Sequence, residues 1–366
     1  MKRFIPVFLT LLGVIWADPR ENRLLIATSP DGIAWTRQNQ VFYDSADVPD
    51  AVVGPGGRVY LYFQNFRHPD ENKIYVGFSG DGLSDWIFGP IVISGTEYWP
   101  GQPCDPDIVV RGDTMRLYFT GDPYGDMKPE TYSAISFDGM NFFLEQGVRF
   151  QVDGAAVLDP SLLWTGDTCR YFAGGIPGIN YRAHSNDGIN FLRDPDFSAD
   201  GFMMANGIAV PGGYRFYSFR EDQGIKSLFS TNGTDWSFDP GYRLQLDTTA
   251  GLEYGYVKDP AVVKTGSGYI MYYVTKIPPG NVSEGNGRGF SFSVYPNPAG
   301  DILLINISLP DDVPYSLRLY DTAGKALRGE LKAGYPVQVS DIPPGVYFLM
   351  FTAGSLSATR RITILR

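Results

Sequence analysis

The chain has 366 residues, with 43 glycines, 23 tyrosines, 24 phenylalanines and charged residues at only 19%. That profile suits many short strands joined by tight turns, and it excludes a disordered chain. A formal net charge of −10 argues against nucleic acid or an anionic membrane as partner and favours neutral or cationic ones. Two cysteines, Cys104 and Cys169, make neither a disulfide framework nor a CxxC metal site. The strand reading below sets them near opposite rims, which disfavours a bridge between them.

The chain begins with Lys2 and Arg3, an apolar run from Phe4 to Trp16, then Ala17 before the polar DPREN. Residues 1–17 are expected to be a secretory signal, since the run is short for a membrane span. No other transmembrane candidate appears.

Five segments then share one turn: SPDGIAW from Ser29, SGDGLSDW from Ser79, SFDGMNF from Ser136, SNDGINF from Ser185 and STNGTDW from Ser230. Asp-Gly or Asn-Gly supplies positive φ, and a two-residue hairpin is expected at each. A second pattern interleaves, beginning at Pro49, Cys104, Leu158, Ala205 and Lys258, and each copy is an apolar strand, a Gly-bearing turn and an alternating aromatic strand. One unit therefore has four strands, such as Ile108–Val110, Met115–Phe119, Tyr132–Ser136 and one from Phe142.

The chain opens with the last two strands of a unit, LLIATSPDGIAW, while the unit after Lys258 offers only the first two. Joining these halves closes a ring, and an all-β, five-bladed β-propeller over residues 18–275 is expected. Up-and-down topology puts the formulaic turns on one rim. On the other rim lie the varied loops NFRHPDEN, SGTEYWPGQPC, GDPYGDMKPET, REDQG and TTAGLEYGYVK, where function is expected.

At the start of each innermost strand, close to the axis, Asp50, Asp105, Asp159, Asn206 and Asp259 are read as equivalent positions. Gathered carboxylates raise one another's pKa values and suit acid or base work, although Asp-Pro also caps strand entries. Asp105, Asn206 and Asp259 are assigned to substrate binding.

The blade-one Asp, the AAVLDPSLL segment and the S-x-DG-x-x-W turns resemble family 43 glycoside hydrolases, arabinanases and xylosidases among them, over roughly Leu24 to Thr275. The resemblance implies an inverting mechanism, with Asp50 as general base, Asp159 as modulator and a blade-four Glu as acid. Here that fourth position is Asn206, an amide. The NDPNG signature of invertase-like relatives is absent, and the RDP triplet at Arg193 follows an outer strand.

Inverting hydrolysis needs an acid and a base on opposite sides of the glycosidic bond. Glu253, Glu97, Glu221 and His68 on the varied rim are the substitute candidates for the acid. His184 sits by the opposite turn. Tyr98, Trp99, Tyr124, Tyr254 and Tyr256 share the varied rim and can stack on sugar faces, while Arg67 and Arg220 can bind hydroxyls or a uronate. DPYGDMKPE offers oxygen ligands for a possible Ca²⁺.

After Thr275 a Pro/Gly-rich linker, residues 276–289, leads to a β-patterned segment, residues 290–366. Its FSVYPNPAGD, LRLYDTAGKAL, PPGVYFLMF and terminal RRITILR resemble the C-terminal sorting domain of type IX secretion cargo. The resemblance implies a small β-sandwich, recognition by the type IX translocon, and a secreted or outer-membrane surface location. Two functions follow: a surface glycoside hydrolase acting on polysaccharide or oligosaccharide, or a non-catalytic glycan-binding or adhesion propeller. A monomer is expected in either case.

Overall fold

The computed structural model describes residues 18–67, 70–176, 178–279, 291–308, 314–322, 324–353 and 356–365. The expected signal at 1–17 and most of the expected linker lie outside them. Almost every element is a strand.

The first sheet runs outward from the axis as Ala46–Val53, Val59–Asn65, Lys73–Ser79 and Ile87–Pro90. The second follows with Cys104–Arg111, Thr114–Gly121, Glu130–Ser136 and Asn141–Leu144, and Val92–Ser94 joins its outer edge in parallel. The third is Leu158–Thr165, Thr168–Ile176, Ile179–Ser185 and Leu192–Phe197, and the fourth is Met203–Val210, Gly213–Arg220, Gly224–Ser230 and Ser237–Phe238.

The fifth sheet is made from both parts of the propeller sequence. Val257–Thr265 and Gly268–Lys276 are completed by Asn22–Ser29 and Thr36–Asp44 from the beginning of the described chain. Asn22 pairs with Lys276 and Ser29 with Tyr269, an unbroken antiparallel register. This junction leaves no open edge between the first and last units. The innermost strands touch in cyclic order, the fifth against the first, so the sheets form the expected propeller ring. Five apolar cores fill the five seams between neighbouring sheets.

The recurrent turn differs from a two-residue hairpin. Asp31 Oδ1 accepts from the backbone N–H groups of Ile33 and Ala34 at 2.8 and 2.9 Å, while Ser29 Oγ accepts from Gly32 N at 2.8 Å. Asp81, Asp138, Asp187 and Asn232 repeat this pattern. The turn is therefore a longer loop tied by its own side chains, which explains why Ser recurs two residues before Asp or Asn.

The turn glycine also serves the seam. Gly32 has φ 74°, and a Cβ there would lie 2.8 Å from the hydroxyl of Tyr217. Tyr217 belongs to the preceding sheet and donates to Gly32 O at 2.9 Å. Tyr62 reaches Gly139 O, Tyr118 reaches Gly188 O and Tyr272 reaches Gly82 O in the same way, at 2.6 to 2.8 Å. Phe172 takes the tyrosine's place at the seam between the third and fourth sheets, where it packs edge-on against Phe216 at 4.9 Å.

Beyond the linker, strands Ser291–Tyr295, Ile302–Ser308 and Pro336–Gln338 form one sheet, and Ala326–Arg328, Ser316–Tyr320, Gly345–Ala353 and Leu356–Ile364 another. Leu303, Ile305, Leu317, Leu349, Phe351 and Ile362 form the shared core, as a β-sandwich requires.

Cys104 and Cys169 are both free. Replacing Tyr118 by Phe leaves the carbonyl of Gly188 without its partner inside a seam, and should lower unfolding stability by about 1–3 kcal/mol in chemical denaturation.

Candidate functional site around the propeller axis

Every innermost strand breaks register with its neighbour where it passes the axis. Asp47 pairs with Gln64 but Asp50 with Tyr62, so two residues on the inner strand stand where one is expected. The same two-residue bulge separates Cys104 from Asp107, Leu158 from Ser161 and Lys258 from Ala261. In the fourth sheet the bulge is one residue shorter, between Met204 and Asn206.

This register corrects the sequence alignment of the axial ring. Val48, Asp105, Asp159 and Asp259 share one level, each with positive φ, at 44°, 51°, 52° and 43°, and each followed by proline. Asp50, Asp107, Ser161, Asn206 and Ala261 form the next level. Asp50 and Asp159 are therefore not equivalent, and the residue equivalent to Asp159 in the first sheet is Val48. Asp107, which the sequence reading passed over, is the counterpart of Asp50. Aligning the four prolines 49, 106, 160 and 260 would have found both.

The second level is a hoop. Asp50 Oδ2 accepts from Ile108 N at 2.7 Å, Asp107 Oδ1 from Leu162 N at 3.1 Å, and Asn206 Oδ1 from Val262 N at 2.9 Å. Each side chain thereby ties its innermost strand to the next one. Asn206 Nδ2 also donates to Asp50 Oδ1 at 2.7 Å, from the fourth strand to the first. Asp50 is 4% exposed, and both of its oxygens are engaged. Burial pushes its carboxyl up to about 7, against the pull of the hydrogen bonds from Ile108 and Asn206. Asp107 is held well above the usual carboxylate range by burial and by the nearby Asp50.

The first level is organised around an ammonium. Lys258 Nζ lies 3.0 Å from Asp47 Oδ1 and 2.8 Å from Asp259 Oδ2, and Asn22 Nδ2 donates to Asp47 Oδ2 at 2.7 Å. Burial works against the charge on Lys258, but Asp259 and Asp47 outweigh it and hold the ammonium well above its ordinary range. Burial pushes Asp259 up to about 7 despite Lys258. Burial, then Asp105 and Asp259, raise Asp159 well above the usual carboxylate range. Its carboxyl oxygens carry no hydrogen bond among the described residues, whereas Asp105 accepts from Asp159 N at 3.4 Å.

Asp159, Asp259 and Asp50 border a cavity closed in by Val48, Met203, Met204 and Phe219. It offers about 30 Å³, room for water but not for a sugar ring.

The other candidates are dispersed. Glu253 is 3% exposed and fully engaged, by Arg37 at 2.5 Å, by the hydroxyl of Tyr273 at 2.7 Å and by Asp247 N at 2.8 Å. As Arg37 sits on an outermost strand, Glu253 is an anchor within the fifth sheet and not a free acid. Glu97 is exposed and turned onto Gly95 N, and Glu221 is an exposed loop residue beside Arg220, which pairs with Asp222. His68 lies outside the described residues.

Arg67 is stacked 3.9 Å over Tyr43 and donates to Asp44 O, so its guanidinium is committed to packing. Tyr256 is buried on Asn22, and Trp99 is wedged edge-on against Tyr132. Tyr98, Tyr124 and Tyr254 remain exposed. In DPYGDMKPE the Asp122 carboxylate caps Gly125 N, Asp126 N and Met127 N. Among the described residues no group of three or more His, Cys, Asp or Glu side chains is arranged for a metal ion. His184 pairs with Asp194 at 2.9 Å by the opposite turns.

The raised axial carboxyls have a sign. Unfolding frees them to ionise near pH 4, whereas in the fold Asp50 and Asp259 hold their protons to about 7. Their contribution is complete below pH 4 and is lost as pH rises through 7. Denaturation midpoints should therefore fall from pH 5 to pH 8, with a shallower slope in Asp107→Asn, which removes one titrating group but keeps an acceptor for Leu162 N.

Comparison with known proteins agrees with both parts of the chain. Residues 293–365 match the family described as the secretion system C-terminal sorting domain. A thermostable family-43 glycoside hydrolase superposes with a TM-score of 0.51 at 13% identity, over 80% of this chain and 95% of its own. A family-43 β-xylosidase/α-arabinofuranosidase from a compost microbial metagenome gives 0.50 at 15% identity, over 82% and 96%. No curated protein sequence matches the chain. No helix among the described residues is long and apolar enough to cross a membrane. The protein is thus a β-propeller of the fold seen in family 43 glycoside hydrolases, joined to a sorting domain that directs it through the type IX system to secretion or the cell surface.

Proposed function

We propose that the protein binds carbohydrate at the cell surface and does not hydrolyse it. One observation carries this reading: Asp50, the residue assigned as general base, gives one oxygen to Ile108 N and the other to Asn206 Nδ2. A general base must present an oxygen to the attacking water, and Asp50 has none free. Val48 at the position equivalent to Asp159 and the amide of Asn206 remove the alternatives on the first and fourth sheets. The propeller fold shared with sugar-cleaving enzymes, the exposed rim tyrosines and the acidic surface support a neutral glycan as ligand.

A hydrolase is the second reading, and Asp159 favours it. Burial, Asp105 and Asp259 hold this carboxyl well above the usual range, and it is partly buried and borders the cavity, as a proton donor would.

The mature protein should bind members of a neutral glycan array while releasing no reducing ends from the same glycans, with Asp159→Asn behaving identically. Sugar release that disappears in Asp159→Asn would establish the hydrolase instead. If neither protein binds any glycan, the carbohydrate reading fails altogether.

A further inference from the structure

A cavity of about 30 Å³ at the axis is too small for a sugar ring, so a bound glycan needs another surface. The varied rim of the second sheet supplies one. Tyr98 is 97% exposed, Tyr124 79% and Met127 86%, although each is carried on a firmly held backbone.

Two loops build this crest. In the first, Trp99 N donates to Thr96 O at 3.0 Å, and the Trp99 ring is wedged against Tyr132 and over Gly121, where a Cβ would come within 2.5 Å. This anchor leaves the preceding Tyr98 turned to solvent. In the second, the Asp122 carboxylate holds Gly125 N at 2.8 Å and Met127 N at 3.1 Å, which fixes the turn that carries Tyr124 and Met127. The loops pack together, since a Cβ on Gly125 would lie 3.2 Å from the ring of Pro100. Two phenol rings are thus offered to solvent from adjoining rigid loops, at a small cost in conformational entropy on binding.

The charge around the crest selects the occupant. Glu97, Asp122, Asp126 and Glu130 stand against the single cation Lys128. An anionic glycan, nucleic acid or lipid surface is repelled, whereas carboxylates accept hydrogen bonds from sugar hydroxyls and the rings stack on apolar C–H faces. We propose that the crest formed by Tyr98 and Tyr124 is the site where a neutral polysaccharide chain binds. The inference rests on the carbohydrate-binding reading and moves its contact surface from the axis to the outer rim of the second sheet.

Both tyrosines are exposed, so Tyr98→Ala/Tyr124→Ala should fold as the parent does, which its denaturation midpoint checks. Retention of the full mature chain in native gels containing soluble arabinoxylan, glucomannan or polygalacturonate provides the readout. The parent should be retarded by at least one neutral polymer and not by polygalacturonate. The double variant should lose about tenfold or more in affinity for that polymer. Equal retention of parent and double variant overturns the crest while leaving carbohydrate binding intact. Stronger retardation by polygalacturonate also overturns it, because an anionic chain contradicts the charge argument. A parent that self-associates without glycan, and a double variant that does not, would assign the crest to a second copy of the chain. A parent retarded by none of the polymers contradicts the carbohydrate reading itself.

Discussion

The hydrogen bond from Asn206 to Asp50 holds the centre of this propeller. Five sheets packed side by side around a ring need something at the axis to fix spacing and rotation. Here polar side chains do this by reaching the backbone of the next strand, Asp50 to Ile108, Asp107 to Leu162 and Asn206 to Val262. The bond from Asn206 to Asp50 then joins the fourth strand to the first. Farther out, tyrosine hydroxyls bonded to turn glycines repeat the same logic at four of the five seams. A side chain committed to such a hoop has little left for chemistry, because a reacting group must keep an oxygen free and reachable.

The bulge above the hoop explains the chemistry that remains. Positive φ at Asp105, Asp159 and Asp259 turns these residues out of the ladder, and the prolines that follow have no N–H to leave unpaired. Val48 adopts the same conformation at a steric cost that a β-branched residue rarely accepts. Three carboxyls and Asp47 thus gather around one buried ammonium, Lys258, which cannot balance them all. Burial holds Asp105, Asp159 and Asp259 above the usual carboxylate range, which works against a charged base at this level.

The fold was legible because repetition carries it. The Ser-x-Asp-Gly turns and the split last unit gave the ring and its closure, and the motifs after residue 290 gave the sorting domain. The site was less legible, for a physical reason. A bulge adds one residue to the inner strand without changing composition, so Asp50 lines up with Asp105 by eye while it pairs like Asp107. Burial was equally hidden: Glu253 and Arg67 read as open loop residues, yet each closes a local network. Tyr98 and Tyr124 were visible as rim aromatics, but only the anchored Trp99 and the capping Asp122 distinguish them from packed neighbours such as Tyr256.

The central claim is that Asp50 serves the fold and not a reaction, and the unfolding free energy of Asp50→Ala tests it most directly. A strut whose removal strands Ile108 N and the Asn206 amide should cost roughly 2–4 kcal/mol in chemical denaturation. An unchanged or increased stability would contradict the account, since a residue that can be removed without loss to the fold is one kept free for chemistry.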